Sequence, residues 1–182
     1  MNAFDAPPLS ANESQLRDDV QALTLPDAAR VWIYTANRPL TADELRATNA
    51  HLQAFVSTWV AHGAPLRAEA AVLLNQLVVL AVDESAQTPT GCSIDASVAA
   101  LRALPQAAPS LADLDLFDRS WVLYLDASGH WTRSRLHDFW AMRKAGTLTD
   151  DAQIFDATIP NLGALRTRAV VRLADSWHAH MW

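Results

Sequence analysis

The sequence has one cysteine and one lysine in 182 residues, and both scarcities exclude chemistry. The single thiol, Cys92, rules out an intramolecular disulfide and any multi-cysteine zinc or iron–sulfur cage. In an acidic chain it fits a reducing cytoplasm. The single lysine, Lys144, follows Arg143, so there is no Gly-Lys pair to cradle phosphates, and a P-loop ATPase is excluded. The five glycines form neither a Gly-x-Gly-x-x-Gly dinucleotide fingerprint nor a Gly-x-Ser-x-Gly elbow. No pattern in the chain implies a cofactor. The longest apolar run, residues 77–82, is far too short to span a membrane, and residues 1–26 lack the basic start and apolar centre of a secretory signal. These absences lead to the expectation of a soluble, cytoplasmic protein.

The remaining composition is that of a folded chain, 51% hydrophobic and 19% charged. A net charge of -6 argues against a general nucleic-acid surface, and nothing points to a membrane partner. The basic chemistry is almost wholly arginine, whose planar fork suits carboxylates, and 20 acidic residues are available to pair with it. Seven tryptophans are many for this length. Trp32 and Trp59 fall at core positions, whereas Trp177 and Trp182 suit an interface with a protein partner or a second copy.

Along the chain, residues 1–9 read as a tail, and Ser10-Ala-Asn-Glu13 resembles a capping box ahead of Leu16, Val20 and Leu23 at helical spacing. Arg30-Val-Trp-Ile-Tyr34 is a strand. Thr41-Ala-Asp-Glu44 is a second capping box, and its helix carries Leu45, Leu52, Phe55, Val56 and Trp59 on one stripe before closing at His62-Gly63. Residues 66–74 and 77–82 read as strands joined at Asn75-Gln76; Arg67 and Glu69 mark the first as an edge, and the second is apolar enough to be buried on both faces. Ser93 is expected to cap a helix with Ile94, Val98, Leu101 and Leu104 inside, and residues 121–125 form a further strand. Beyond it, Leu136, Phe139, Trp140 and Arg143 predict a helix. Leu162, Leu165, Ala169 and Leu173 favour another, which Gly163 weakens.

Strand, helix, strand, strand, helix, strand is the split β-α-β order of ferredoxin-like domains. The expectation is therefore an α+β fold with a ferredoxin-like core at 27–128, an N-terminal tail and short helix at 1–26, and a helical C-terminal addition at 129–182, with 27–182 as one domain. In that topology one sheet edge gathers His62, Asp83, Glu84, Cys92, Ser93, Asp95 and Asp126. The opposite edge gathers Asn37, Arg38, Asn75, Asp118 and Arg119.

Three chemistries can be built on the first edge. A helix N-terminus favours the thiolate, so Cys92 is a candidate nucleophile with His62 as base and Asp83 or Glu84 orienting the imidazole; nearby carboxylates oppose this by raising the thiol pKa. The alternative is a cysteine that packs as a small apolar residue. Ser93, Asp95 and Asp126 are candidate ligand-binding groups at the same edge. Asp83, Glu84, Asp95 and His62 could instead hold a divalent metal, although acids at a strand end are commonly solvated or capping. The terminal His178-Ala-His180 pair supplies too few ligands for a metal site by itself.

Arg30-Val-Trp-Ile-Tyr, Asn37-Arg-Pro-Leu-Thr, Trp59-Val-Ala-His-Gly-Ala-Pro-Leu, Leu80-Ala-Val-Asp-Glu, Gly91-Cys-Ser-Ile-Asp and Leu116-Phe-Asp-Arg together resemble a family of small bacterial proteins often labelled "ABC transporter ATPase". The resemblance runs from about Pro26 to the C-terminus. The label implies an ATP-binding cassette, and every motif such a cassette requires is missing here. The resemblance implies no activity or residue role. The expectation that remains is a non-catalytic binding or protein-interaction module, with the thiol enzyme and the metal site as alternatives.

Overall fold

The computed structural model describes residues 13–181. In chain order these form α1 (Glu13–Gln21), β1 (Arg30–Thr35), α2 (Ala42–Thr58), β2 (Val60–Ala61), β3 (Ala64–Pro65), β4 (Arg67–Leu73), β5 (Leu77–Asp83), α3 (Gly91–Ala103), β6 (Trp121–Leu125), β7 (Trp131–Arg135), α4 (Leu136–Lys144), β8 (Gln153–Phe155), α5 (Leu162–Arg168) and β9 (Val170–Arg172). The fold is a mixture of helices and antiparallel sheets, the α+β class expected from the sequence. Among the described residues no helix is long and apolar enough to cross a membrane.

The run Leu-Val-Val-Leu-Ala-Val has no polar face, so it is stable only where both faces are covered. It forms β5, buried at every residue, at the centre of a sheet of order β1-β5-β4. On one face Val78 and Leu80 meet Leu52 of α2 and Leu101 of α3, together with Leu104, Leu111, Leu114 and Leu116. On the other, Val79 and Ala81 meet Leu16 and Val20 of α1, Leu162 and Leu165 of α5, and Leu123, Trp131 and Phe155 of a second sheet. Each fully buried leucine here contributes about 1.5–3 kcal/mol of burial. The second sheet has the order β7-β6-β8-β9; its far face packs Val122, Tyr124 and Ile154 on Phe139 of α4.

The order β1-β5-β4 is the one a split β-α-β unit requires of its first three strands. The fourth departs from it: residues 121–125 do not pair with β1 but form β6 of the second sheet, against β7 and β8. The cause is local. Asp126 and Gly129 (φ +76°) make a tight turn, with Gly129 N–H donating to Asp126 O at 3.0 Å, so β6 closes a hairpin with its sequence neighbour β7 at little loop-closure cost. The C-terminal addition is accordingly part sheet and part helix, with strands β7, β8 and β9 beside α4 and α5. Of the first capping box, Ser10 lies outside the described residues. Leu16, Val20 and Leu23 are buried as their spacing requires.

Two helix ends differ from the sequence reading. α2 has the expected capping box at Thr41 but stops at Thr58, because Trp59 turns extended and is buried against Phe55 and Trp32. His62 (φ +51°) and Gly63 (φ +80°) are instead the turn of the β2–β3 hairpin, and two consecutive positive φ values are what a type I′ turn needs. α3 is capped by Thr90, not Ser93. Ser93 N–H donates to Thr90 Oγ1 (3.3 Å) and Thr90 N–H donates to Ser93 Oγ (2.7 Å), a reciprocal box that starts the helix at Gly91.

Gly163 belongs in α5 for a packing reason. A Cβ there would lie 2.8 Å from Asp27 Cβ, and its N–H donates to Asp27 O at 2.9 Å. Gly163→Ala gains helix propensity of about 1 kcal/mol. The overlap with Asp27 costs about 1–3 kcal/mol and outweighs it. The expected result is a net loss of about 1 kcal/mol in urea unfolding; a stabilised variant would contradict this packing account.

Candidate functional site

The edge expected to be reactive is assembled only in part. Trp59, just ahead of the β2–β3 hairpin, donates its Nε1–H to Ser93 O at 2.8 Å, so the hairpin bearing His62 lies against the start of α3. Both His62 and Cys92 are exposed, and no hydrogen bond joins them. Asp83 and Glu84 beside them already have partners. Asp83 is buried and accepts from Ser85 N–H (3.0 Å) and Arg67 Nη1 (2.9 Å); the Ser85 bonds, then Arg67, hold its carboxyl below the usual carboxylate range. Glu84 pairs with Arg30 at 3.6 Å. The Ser93 hydroxyl is committed to the helix cap, and Asp95 is exposed on α3.

Asp126 folds its own hairpin turn, accepting from Ser128 N–H (2.8 Å) and His130 N–H (3.0 Å), and these bonds, led by His130, lower its pKa. Among the described residues no three His, Cys, Asp or Glu side chains come together as a metal site. Asp83, Glu84 and Ser93 hold the ends of β5 and α3 in place through these bonds.

The opposite edge holds a charged network. Arg38 forms a fork with Glu44, Nη1 and Nη2 each 2.9 Å from a carboxylate oxygen, and reaches Asp113 at 2.6 Å and Ser110 O at 2.8 Å. Burial pushes the Glu44 carboxyl up, and the bonds from Arg38 and Thr41 N–H more than reverse this, leaving it below its ordinary value. Arg133 of β7 donates to Asn37 O (2.9 Å) and Gln76 Oε1 (3.2 Å), tying the second sheet to the loops of the first. Burial lowers the Arg133 pKa, and the Arg38 charge adds to the effect.

Between these two sheets runs a groove of ≈ 710 Å³ that no sequence motif announces. It touches Val31, Trp32, Ile33, Tyr34 and Thr35, five consecutive residues of β1. Side chains alternate across a strand, so a groove that meets all five must pass along the strand's edge. That edge is free over most of its length. Even-numbered residues of β1 bond to β5, as Ala36 N–H continues to do at Gln76 O (2.8 Å). Odd-numbered residues point outward, and Val31 N–H meets Pro160 O at 3.1 Å, closing the edge beside the Arg30–Asn161 bridge. Beyond it, Ile33 and Thr35 each present an N–H and a C=O with no partner among the described residues.

The walls of the groove differ in character. On one side Tyr34 packs edge-on against Phe117 (5.7 Å between ring centres), and the Arg102 guanidinium covers Phe117 at 4.4 Å. Arg119 is close enough to Tyr34 for its charge to oppose the upward pKa shift that burial gives the phenol. On the other side lie Leu123, Phe155 and Ile159. Trp177, 46% exposed, and the buried His178 stack at 3.9 Å and complete the lining.

Nine arginines carry a carboxylate partner, from Arg30–Glu84 to Arg172–Asp175, and Arg133 binds carbonyl oxygens. Arg102 and Arg119 have neither a hydrogen bond nor an ion pair among the described residues, and both line the groove. Arg119 is among the residues that the split β-α-β order gathers at this edge, and Trp177 is among those suited to an interface. Arg102 gave no sequence signal, because it follows Leu101 on a helix like any solvated residue. Comparison with family models, with curated proteins and with solved structures finds no match to this chain.

Proposed function

We propose that this chain is a non-catalytic binding module of the cytoplasm, folded as one domain, and that the groove along β1 is its binding surface. The observation that carries this reading is the open strand edge at the floor of a groove with aromatic walls. Its size falls within the range of about 300–1,000 Å³ typical of ligand clefts. At the other edge Asp83, Glu84, Ser93 and Asp126 are taken up in ion pairs, a cap and a turn, and no hydrogen bond joins His62 to Cys92. We also read β1, α2, β4, β5 and α3 as a ferredoxin-like core whose fourth strand position is vacant, and the groove occupies that position.

The test is an NMR screen of purified protein with small aromatic and aliphatic acids. Hits should perturb the Ile33 and Thr35 amides and the indoles of Trp121 and Trp177. Hits that cluster at Cys92 and His62, leaving the groove unperturbed, would overturn this reading.

A further inference from the structure

Resting on the groove as binding surface, we infer that its occupant is an extended peptide segment that pairs with β1 as an added strand and alternates acidic with aliphatic side chains. Ile33 and Thr35 supply outward N–H and C=O groups at the spacing of an antiparallel or parallel ladder, which is the main-chain recognition used in strand addition. The two walls then dictate the side chains. Residues of an added strand alternate between faces. One face meets Arg102 and Arg119 beside Phe117 and Tyr34, cations without a carboxylate partner among the described residues in a chain of net charge -6. The other meets the second sheet, where Leu123, Phe155 and Ile159 lie buried behind the more open rings of Trp121 and Trp177. A carboxylate on the first face forms a charge-assisted bond, and an aliphatic group on the second replaces water against an apolar wall.

The same geometry selects against a second copy of this chain as occupant. The β1 edge is recessed between the α3 wall and the second sheet. Two recessed edges cannot approach to the roughly 4.8 Å that strand pairing demands. A single free segment can.

The probe is an acetylated, amidated seven-residue peptide of alternating valine and glutamate, titrated into the full chain with amide exchange as readout. Bound peptide should slow exchange at Ile33 and Thr35 at least tenfold, with no change at Trp32 and Tyr34, whose N–H groups already face β5. The double variant Arg102→Glu with Arg119→Glu should weaken binding at least tenfold. Both side chains are exposed and make no hydrogen bond or ion pair among the described residues, so the variant should fold as the parent does, its thermal midpoint lowered only by loss of the Arg102 contact over Phe117. Replacing glutamate by lysine in the peptide, or methylating its backbone nitrogens, should abolish binding without any change to the protein.

Three results would overturn the inference: binding without protection of Ile33 and Thr35, equal binding of the lysine peptide, or free glutamate binding as tightly as the peptide, which would mark a small-anion site. Acids that bind in the groove while the peptide gives no protection would defeat this inference alone. Acids that bind elsewhere would defeat the proposed function itself.

Discussion

Glu44→Ala should lower the stability of the protein by about 3–5 kcal/mol, the loss typical when one partner of a buried ion pair is removed. The Glu44 side chain is 4% exposed and receives both arms of the Arg38 fork. It also accepts from Thr41 N–H at 2.8 Å, closing the cap of α2. Its removal leaves Arg38 with Asp113, whose side chain is 70% exposed and therefore a weaker, water-screened partner. For a chain of this size the loss corresponds to roughly 10 °C in Tm. Glu44→Gln keeps the cap acceptor but not the charge, and should fall between the parent and the alanine variant. Thermal and urea unfolding of the three proteins check this. A loss below about 1 kcal/mol for Glu44→Ala would mean that the Arg38 network does not anchor the loop between β1 and α2.

Acid should weaken the fold from about pH 6.5 downward, and His178 is the reason. Its ring is buried, stacked on Trp177 and 5.6 Å from Phe139, and Nδ1 has no hydrogen-bond partner among the described residues. Burial lowers its pKa to about 4, against a weaker opposing pull from Asp156. An unfolded histidine titrates near 6.5. Between these values the unfolded chain takes up a proton that the folded chain refuses, so stability falls as pH drops from about 6.5 to about 4 and levels off below. The slope is at most about 1.4 kcal/mol per pH unit, a total of up to about 3 kcal/mol. His178→Phe should flatten the profile over that window while leaving the further acid loss, in which the unfolded chain protonates Glu44, Asp83, Asp113 and Asp118 before the fold does. Urea unfolding at half-unit steps of pH measures both curves; identical slopes for parent and variant would remove His178 from the account.

How far the fold could be read from the sequence depended on how local its causes are. The apolar run 77–82, the capping box at Thr41 and the spacing of Leu16, Val20 and Leu23 each state a burial requirement in consecutive residues, and each was legible. Trp131-Thr-Arg-Ser-Arg135 was not, because Arg133 and the exposed Arg135 alternate with buried Trp131 on the β7 face where apolar residues are expected. Arg133 stacks over Trp121 at 5.5 Å and Arg135 at 4.1 Å, which lets cations line the face between sheets. The end of α2 was misplaced because Gly63 signals a positive φ without saying whether a helix cap or a hairpin requires it.

The candidate site was hidden for a similar reason. Asp83, Ser93 and Asp126 have chemistry that a sequence can display, but only coordinates show it consumed by Arg67, Thr90 and the turn at Ser128. The groove is the converse case. Its key feature, the free edge of β1, arises because residues 121–125 pair elsewhere, and no residue within β1 encodes that.

Native-state amide exchange, read residue by residue along β1 in the unliganded protein, tests the open edge directly. Trp32 and Tyr34 donate into the β5 ladder and should exchange slowly, while Ile33 and Thr35 face the groove and should exchange orders of magnitude faster. Equal protection at all four amides would contradict the open edge on which the proposed binding surface depends.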